Sequence, residues 1–144
     1  MALHVAEIER IDHENDAFAA ASYVARLPRK YKLHDIAFIA WAPPYEHLPP
    51  NTLLEQLIPG FRPVFASDDF LVQWRAAEAG VGAIFLGKAP NRFGQLTGLK
   101  PLGLDLGPHS RSSLHLVAAK SALDVPRVRA VAELLREELK GTSK

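Results

Sequence analysis

Asp69-Phe70-Leu71-Val72-Gln73-Trp74-Arg75-Ala76-Ala77-Glu78-Ala79-Gly80-Val81-Gly82-Ala83-Ile84-Phe85-Leu86 reads as a helix, a glycine stop and a short buried strand. Apolar residues at Phe70, Leu71, Trp74 and Ala77 have the spacing of a helix that lays one face on a sheet. Gly80 falls where a C′ glycine ends such a helix, and Ser67 and Asp68 precede it as caps. Ala83 through Leu86 carries no polar alternation, as expected of a strand covered on both faces. The order helix, Gly-x-Gly, strand reverses a dinucleotide fingerprint, in which a strand leads into the glycines and a helix follows. Gly82 through Ala89 also has phosphate-loop spacing up to its last position. Ala89 replaces the Ser or Thr that would hold magnesium, and the residues between the glycines are apolar where a phosphate cradle needs free amides.

Working outward, residues 63–66 read as a strand feeding this helix, and residues 36–41 as a stronger one that Pro43-Pro44 ends. Pro49-Pro50 opens a helix containing Leu53, Leu54, Leu57 and Ile58, closed by Pro59-Gly60. Nearer the N-terminus, residues 3–11 alternate weakly and residues 16–21 read as extended. Ser22 caps a brief helix through Leu27 that Pro28 stops. On the other side, residues 88–96 read as helical, residues 99–106 as extended, and Gly107-Pro108 as a turn. Residues 114–119 read as a buried strand, with His115 a satisfied core histidine. Asp124 then caps a helix with Pro126 in its first turn and Val128, Val131, Leu135 and Leu139 on one face. Strands separated by crossover helices predict an α/β protein with a mostly parallel sheet.

Composition narrows the function classes. The 144 residues make one domain or a piece of something larger, and 48% hydrophobic content supplies a core. A net charge of +1 with scattered basic residues argues against indiscriminate nucleic-acid binding. The chain has no cysteine, which removes disulfides, thiolate metal sites and cysteine nucleophiles and fits a cytoplasmic location. No signal peptide is visible and no apolar run reaches the roughly 18 to 20 residues of a membrane span, so no membrane association is expected.

In such folds ligands sit at the carboxyl ends of strands, where helix N-termini present free amides. Two junctions qualify: Trp41-Ala42-Pro43-Pro44 and Ala66-Ser67-Asp68-Asp69. Trp41 offers a flat apolar wall with a donor at its edge; Ser67 and the opening amides of the helix offer donors to a hydroxylated or anionic molecule, though Asp68 and Asp69 disfavour a bare anion. Other polar clusters are weaker. Asp12-His13-Glu14-Asn15-Asp16 reads as a solvated turn and lacks metal-ligand spacing. Glu46-His47, taken with Asp68, is the nearest thing to an acid/base set, and no nucleophile elbow accompanies it. Neither a catalytic set nor a metal or cofactor is expected.

Four segments in order resemble the effector-binding domain of LysR-type transcriptional regulators. Ala20-Ala21-Ser22-Tyr23-Val24-Ala25-Arg26-Leu27 is similar to the family's ASPAYLARL segment, and Leu33-His34-Asp35-Ile36 to its L-x-D-L element. Ser67 through Leu86 resembles its stretch running from S-N to A-G-L-G-I-A-L-L-P, and Val125-Pro126-Arg127-Val128-Arg129-Ala130 resembles its closing S-P-R-V-R-A-F helix start. Gly87 stands where the family usually has Pro, and Asp68 where Asn is frequent, which implies an altered cleft shape and charge.

The resemblance implies a periplasmic-binding-protein-like (type 2) fold, of which this chain is the C-terminal part. The second subdomain is expected over residues 16–107, and the return strand and helix of the first over residues 113–140. The winged helix-turn-helix would be absent, so DNA would be reached only through that missing N-terminal domain. The implied function is small-molecule sensing, with an organic acid or aromatic effector at Trp41, Ala42, Ser67, Asp68 and Asp69. The alternative is a truncated partner that oligomerises with full-length regulators and has no ligand of its own. The strand at residues 114–119 and the helix after it are expected to be orphaned, which predicts a homo-oligomer, domain swapping, or docking on the local sheet.

Overall fold

A computed structural model of the chain describes residues 4–88 and 98–140. The helix expected over residues 88–96 lies outside them, apart from Lys88. Among the described residues the chain divides into two compact units, one of residues 15–87 and 98–110 and the other of residues 4–14, 88 and 111–140. A single strand, β1 (Val5–Ala20), contributes to both.

The larger unit contains the second part of β1, then α1 (Ala21–Val24), β2 (Ile39–Trp41), α2 (Asn51–Leu57), β3 (Phe65–Ser67), α3 (Phe70–Glu78), β4 (Ile84–Gly87) and β5 (Leu99–Pro101). β2 and β3 pair in parallel, and Phe38 bridges in parallel to Ala83, where Ile39 N donates to Ala83 O at 2.8 Å and Ala83 N to Ala37 O at 2.9 Å. β1 runs antiparallel to both β4 and β5, so the strand order is β3-β2-β4-β1-β5. The sheet is therefore mixed rather than mostly parallel. Helical crossovers α2 and α3 link β2, β3 and β4 in one direction, whereas β1 enters against them and β5 follows β4's sense.

Period-2 alternation divides the core between two faces. Ala17, Ala19, Phe38 and Ala83 join Tyr23 of α1 and Leu54 of α2 on one side. Phe18, Ala20, Ile39 and Ile84 meet Ala77 and Trp74 of α3 on the other. With helices on both faces, this unit is a closed α/β sandwich.

Gly80 has φ +81°, and its N–H bonds Ala77 O at 3.0 Å while Val81 N bonds Ala76 O at 3.1 Å, a Schellman stop at the end of α3. Arg26 donates a further bond to Gly80 O. A Cβ on Gly82 would lie 2.7 Å from Ala37 O, so the close approach of the two strands requires glycine there.

Several expectations are corrected. The face α3 buries carries Gln73 and Ala77; Leu71 is 72% exposed and Phe70 39%. Gln73 is tolerated inside because its Nε2 donates to Ser67 O at 2.9 Å. Ser22 does not cap α1: Ala20 holds that position without a side-chain bond, and Ser22 lies beneath Gly80. The strand expected over residues 36–41 is confined to Ile39–Trp41 and the bridge at Phe38. Residues 12–16 form no turn but continue β1, joining two segments that read separately. Asp16, 3% exposed, accepts from Ala17 N, Gly103 N and Leu104 N, and Asn15 Nδ2 donates to His109 O at 2.9 Å. Those remote partners make a charged stretch compatible with a strand interior.

The smaller unit pairs the first part of β1 antiparallel with β6 (Arg111–Ala119), in register from Val5↔Ala119 to Glu14↔Arg111 with an irregularity between Glu7 and Glu9. A 3-10 turn, Lys120–Asp124, leads into α4 (Pro126–Lys140). Asp124 ends that turn and does not cap α4; Val125 flanks the helix, its carbonyl accepting from Val128 N and Arg129 N, both at 3.0 Å. β6 is thus not orphaned, although it is not buried either: Leu114 is 44% and Val117 53% exposed. Among this unit's described residues Ala132 alone is buried. Arg136 Nε donates to Glu9 Oε2 at 3.0 Å and Lys140 Nζ lies 3.5 Å from the same oxygen, tying α4 to β1.

Candidate functional site

The carboxyl ends of β2 and β3 lie side by side in the larger unit. Trp41 is the register partner of Ser67, and Ala42 N donates to Ser67 O at 3.1 Å. Trp41, Ala42, Ser67, Asp68 and Asp69 are thereby gathered at one sheet edge where α3 begins. Parallel pairing produces this: both strands end on the same side, and the chain leaves each toward a helix N-terminus.

The local hydrogen bonding differs from a simple Ser67 and Asp68 cap. Asp69 is the N-cap, its Oδ1 accepting from Leu71 N at 2.8 Å, while Ser67 Oγ accepts from Asp69 N at 3.1 Å. Ser67 keeps its hydroxyl proton for a ligand acceptor. Asp68 is exposed beside it. With two carboxylates at the helix entrance, the potential there opposes an anion and suits a neutral or cationic group bearing an acceptor.

Trp41 is held from two sides. Asn51, 4% exposed, makes a two-way pair with the Trp41 backbone: Trp41 N donates to Asn51 Oδ1 and Asn51 Nδ2 to Trp41 O, each at 2.9 Å. The indole N–H donates to Pro49 O at 3.1 Å, so the edge donor is already engaged. The half-buried ring meets Tyr45 edge-to-face at 5.7 Å, which adds a second aromatic surface. Asn51 and Tyr45 were not singled out from sequence. The polar residue between Pro50 and the apolar run of α2 was the available signal for Asn51.

The other clusters assemble no chemistry. Arg10 Nε donates to Asp12 Oδ1 at 3.1 Å and Ser113 Oγ to the same oxygen at 2.6 Å; the Ser113 bond, then Arg10, holds the Asp12 carboxyl below its ordinary range. His115 is exposed and pairs with Glu7, which corrects its reading as a core histidine. Glu46 and His47 lie exposed in the loop after β2. Among the described residues, no group of three His, Cys, Asp or Glu is arranged to hold a metal, and no helix is long and apolar enough to cross a membrane.

No family model matches the sequence, and no curated protein matches it. Solved structures do. The regulatory domain of CrgA, a LysR-type transcriptional regulator from Neisseria meningitidis, superposes with a TM-score of 0.65 at 20% identity, over 94% of this chain and 70% of that one. A second CrgA structure gives 0.67 at 19% identity, over 96% of this chain and 49% of the other. Full-length CbnR in complex with its target DNA gives 0.61 at 9% identity, over 99% of this chain and 49% of CbnR. The chain thus spans about half the length of two of these regulators and has the α/β fold of the LysR-type regulatory domain.

Proposed function

We propose that this chain is the effector-sensing part of a LysR-type transcriptional regulator, not an enzyme. Residues 16–107 act as the second subdomain of a periplasmic-binding-protein-like domain and residues 113–140 as the returning strand and helix of the first. DNA is contacted by a separate helix-turn-helix domain. The observation that carries the reading is the junction at which Trp41 and Ser67 stand opposite each other where two parallel strands end and α3 begins. A small effector stacks on Trp41 there and accepts from Ser67, with Ala42 supplying the floor and Asp68 and Asp69 selecting against strongly anionic groups. Among small organic acids and aromatics, neutral aromatic or hydroxylated members fit best.

Trp74→Phe leaves Trp41 as the sole indole, since the chain has two tryptophans. Titrating that variant of this chain with a panel of such compounds should shift Trp41 emission for at least one. Ser67→Ala should weaken that response roughly tenfold, the worth of one hydrogen bond of about 1.4 kcal/mol. A compound that alters DNA binding by the regulator yet leaves Trp41 emission unchanged, with full response in Ser67→Ala, refutes the site.

A second reading, a shortened partner that oligomerises with full-length regulators, draws support from the apolar strip exposed on α4.

A further inference from the structure

Most of the chain's basic residues are scattered, but Arg29-Lys30-Tyr31-Lys32 places three cations in four positions with no carboxylate among them, on the segment that leads toward β2. They do not lie on a flat face. With Leu33 and His34 they line one side of a polar cavity of about 610 Å³ within the larger unit, and residues 102–105, just after β5, line the other. A concavity of that size takes a small molecule.

The walls are fixed without drawing on the cations. Tyr31 Oη donates to Leu102 O at 2.7 Å and so ties one segment to the other. Leu102 N donates in turn to Ala17 O at 2.9 Å, and Gly103 N and Leu104 N to the Asp16 carboxylate. On the opposite side Asp35 Oδ2 accepts from Lys32 N at 2.8 Å and secures a 3-10 turn, Leu33–Asp35. Among the described residues no carboxylate pairs with the side chain of Arg29, Lys30 or Lys32. Asp105, the one carboxylate in the lining, has its Oδ1 engaged by Gly107 N at 2.9 Å. Three like charges around one concavity repel each other and focus a positive potential into it, which an anion would offset.

We propose that this cavity binds a small phosphate monoester, its phosphoryl group on Arg29, Lys30 and Lys32 and its organic body against Tyr31, Leu33 and Leu104. A phosphoryl group carries nearly two negative charges at neutral pH and presents three strong acceptor oxygens, so three cations match it better than they match a single carboxylate. Arg29 offers a planar fork to two of those oxygens, and the two lysines act as point charges. The half-buried Tyr31, Leu33 and Leu104 supply apolar surface for the rest of the molecule. The sign of this site is opposite to that of the Trp41 and Ser67 junction, where two carboxylates oppose an anion. The inference does not depend on the reading of that junction. Convergence of the charges on a cavity, instead of along a line, favours a small ligand over a nucleic-acid backbone.

Titration of the isotopically labelled chain with phenyl phosphate and with inorganic phosphate, at fixed ionic strength and neutral pH, tests this through amide NMR shifts. Phenyl phosphate should give saturable shifts at residues 29–34 and 102–105 with a Kd between about 0.1 and 1 mM, and inorganic phosphate the same shifts about tenfold more weakly. The double variant Lys30→Gln/Lys32→Gln should weaken binding by about tenfold or more, and Arg29→Lys, which keeps the charge but loses the fork, by about threefold. Lys120→Gln, in the smaller unit, should leave it unchanged. All four side chains are exposed, so the variants should keep native spectra away from the cavity, which separates lost binding from lost folding. Shifts that never saturate overturn the proposal, as does a double variant that binds like the native chain. So does a DNA duplex that shifts residues 29–34 where phenyl phosphate shifts nothing, since the cations would then follow a nucleic-acid backbone.

Discussion

Strand β1 belongs to both units and behaves differently in each. Over residues 15–20 every position is buried, and over residues 5–14 burial only alternates between half-buried and exposed. The second stretch is flanked by β4 and β5 and covered by helices on both faces, so even Asn15 and Asp16 are inside and bonded. The first has β6 as its partner and α4 as its cover, and that unit buries Ala132 alone among its described residues. One strand with one backbone geometry thus gains its burial from what surrounds it. A two-stranded ribbon under one helix has little apolar area with which to offset chain entropy. The larger unit should therefore carry most of the fold's stability, and the smaller unit should open first.

Asp16→Ala should erode the advantage of the larger unit most. It leaves the N–H groups of Ala17, Gly103 and Leu104 without their acceptor, a cost of about 3 kcal/mol when part of the loss is recovered by water. Asp16→Asn keeps an accepting oxygen and should cost about 1 kcal/mol. Both tryptophans, Trp41 and Trp74, lie in this unit, so urea unfolding followed by their fluorescence reads the change. An Asp16→Ala midpoint equal to that of the native chain would remove the claim that these bonds secure the unit.

Gly82→Ala comes next, at about 2 kcal/mol. The new methyl would meet Ala37 O at 2.7 Å and Val64 Cγ1 at 2.9 Å, and the first of these is backbone held in the Phe38–Ala83 bridge. The strands must separate to admit it. Native stability in this variant, by the same unfolding measurement, would mean that the bridge yields freely.

What sequence reasoning reached and missed follows the range of the interactions involved. The stop at Gly80 was legible because a left-handed residue closing a helix is a local event, written in one glycine. The junction at Trp41 and Ser67 was legible as strand ends. Which residue caps α3 was not: Ser67, Asp68 and Asp69 are all good caps, and the pairing of Ser67 with Trp41 leaves Asp69 to do it. The course of β1 through residues 12–16 depends on Ser113, Gly103 and His109, roughly ninety to one hundred positions away, and no local pattern announces them. Asn51 is similar on a smaller scale, since its burial makes sense only once the Trp41 backbone lies beside it.

The smallest effect concerns the smaller unit, where acid should act before it reaches the rest. The Arg136 bond, more than any other cause, holds the Glu9 carboxyl below its ordinary range, with Lys140 adding to it. A carboxylate whose folded pKa is depressed contributes stability that is present above its unfolded value and lost as pH falls through the folded one. The tie between α4 and β1 should therefore hold at neutral pH and begin to fail only below about pH 4. Glu9→Gln should mimic the acid state at pH 7, raising amide exchange in β6 and α4 severalfold while leaving residues 15–20 of β1 unchanged. Exchange that rises equally in both parts of β1 would show that the two stretches open together, and the contrast between them would be one of burial without a difference in stability.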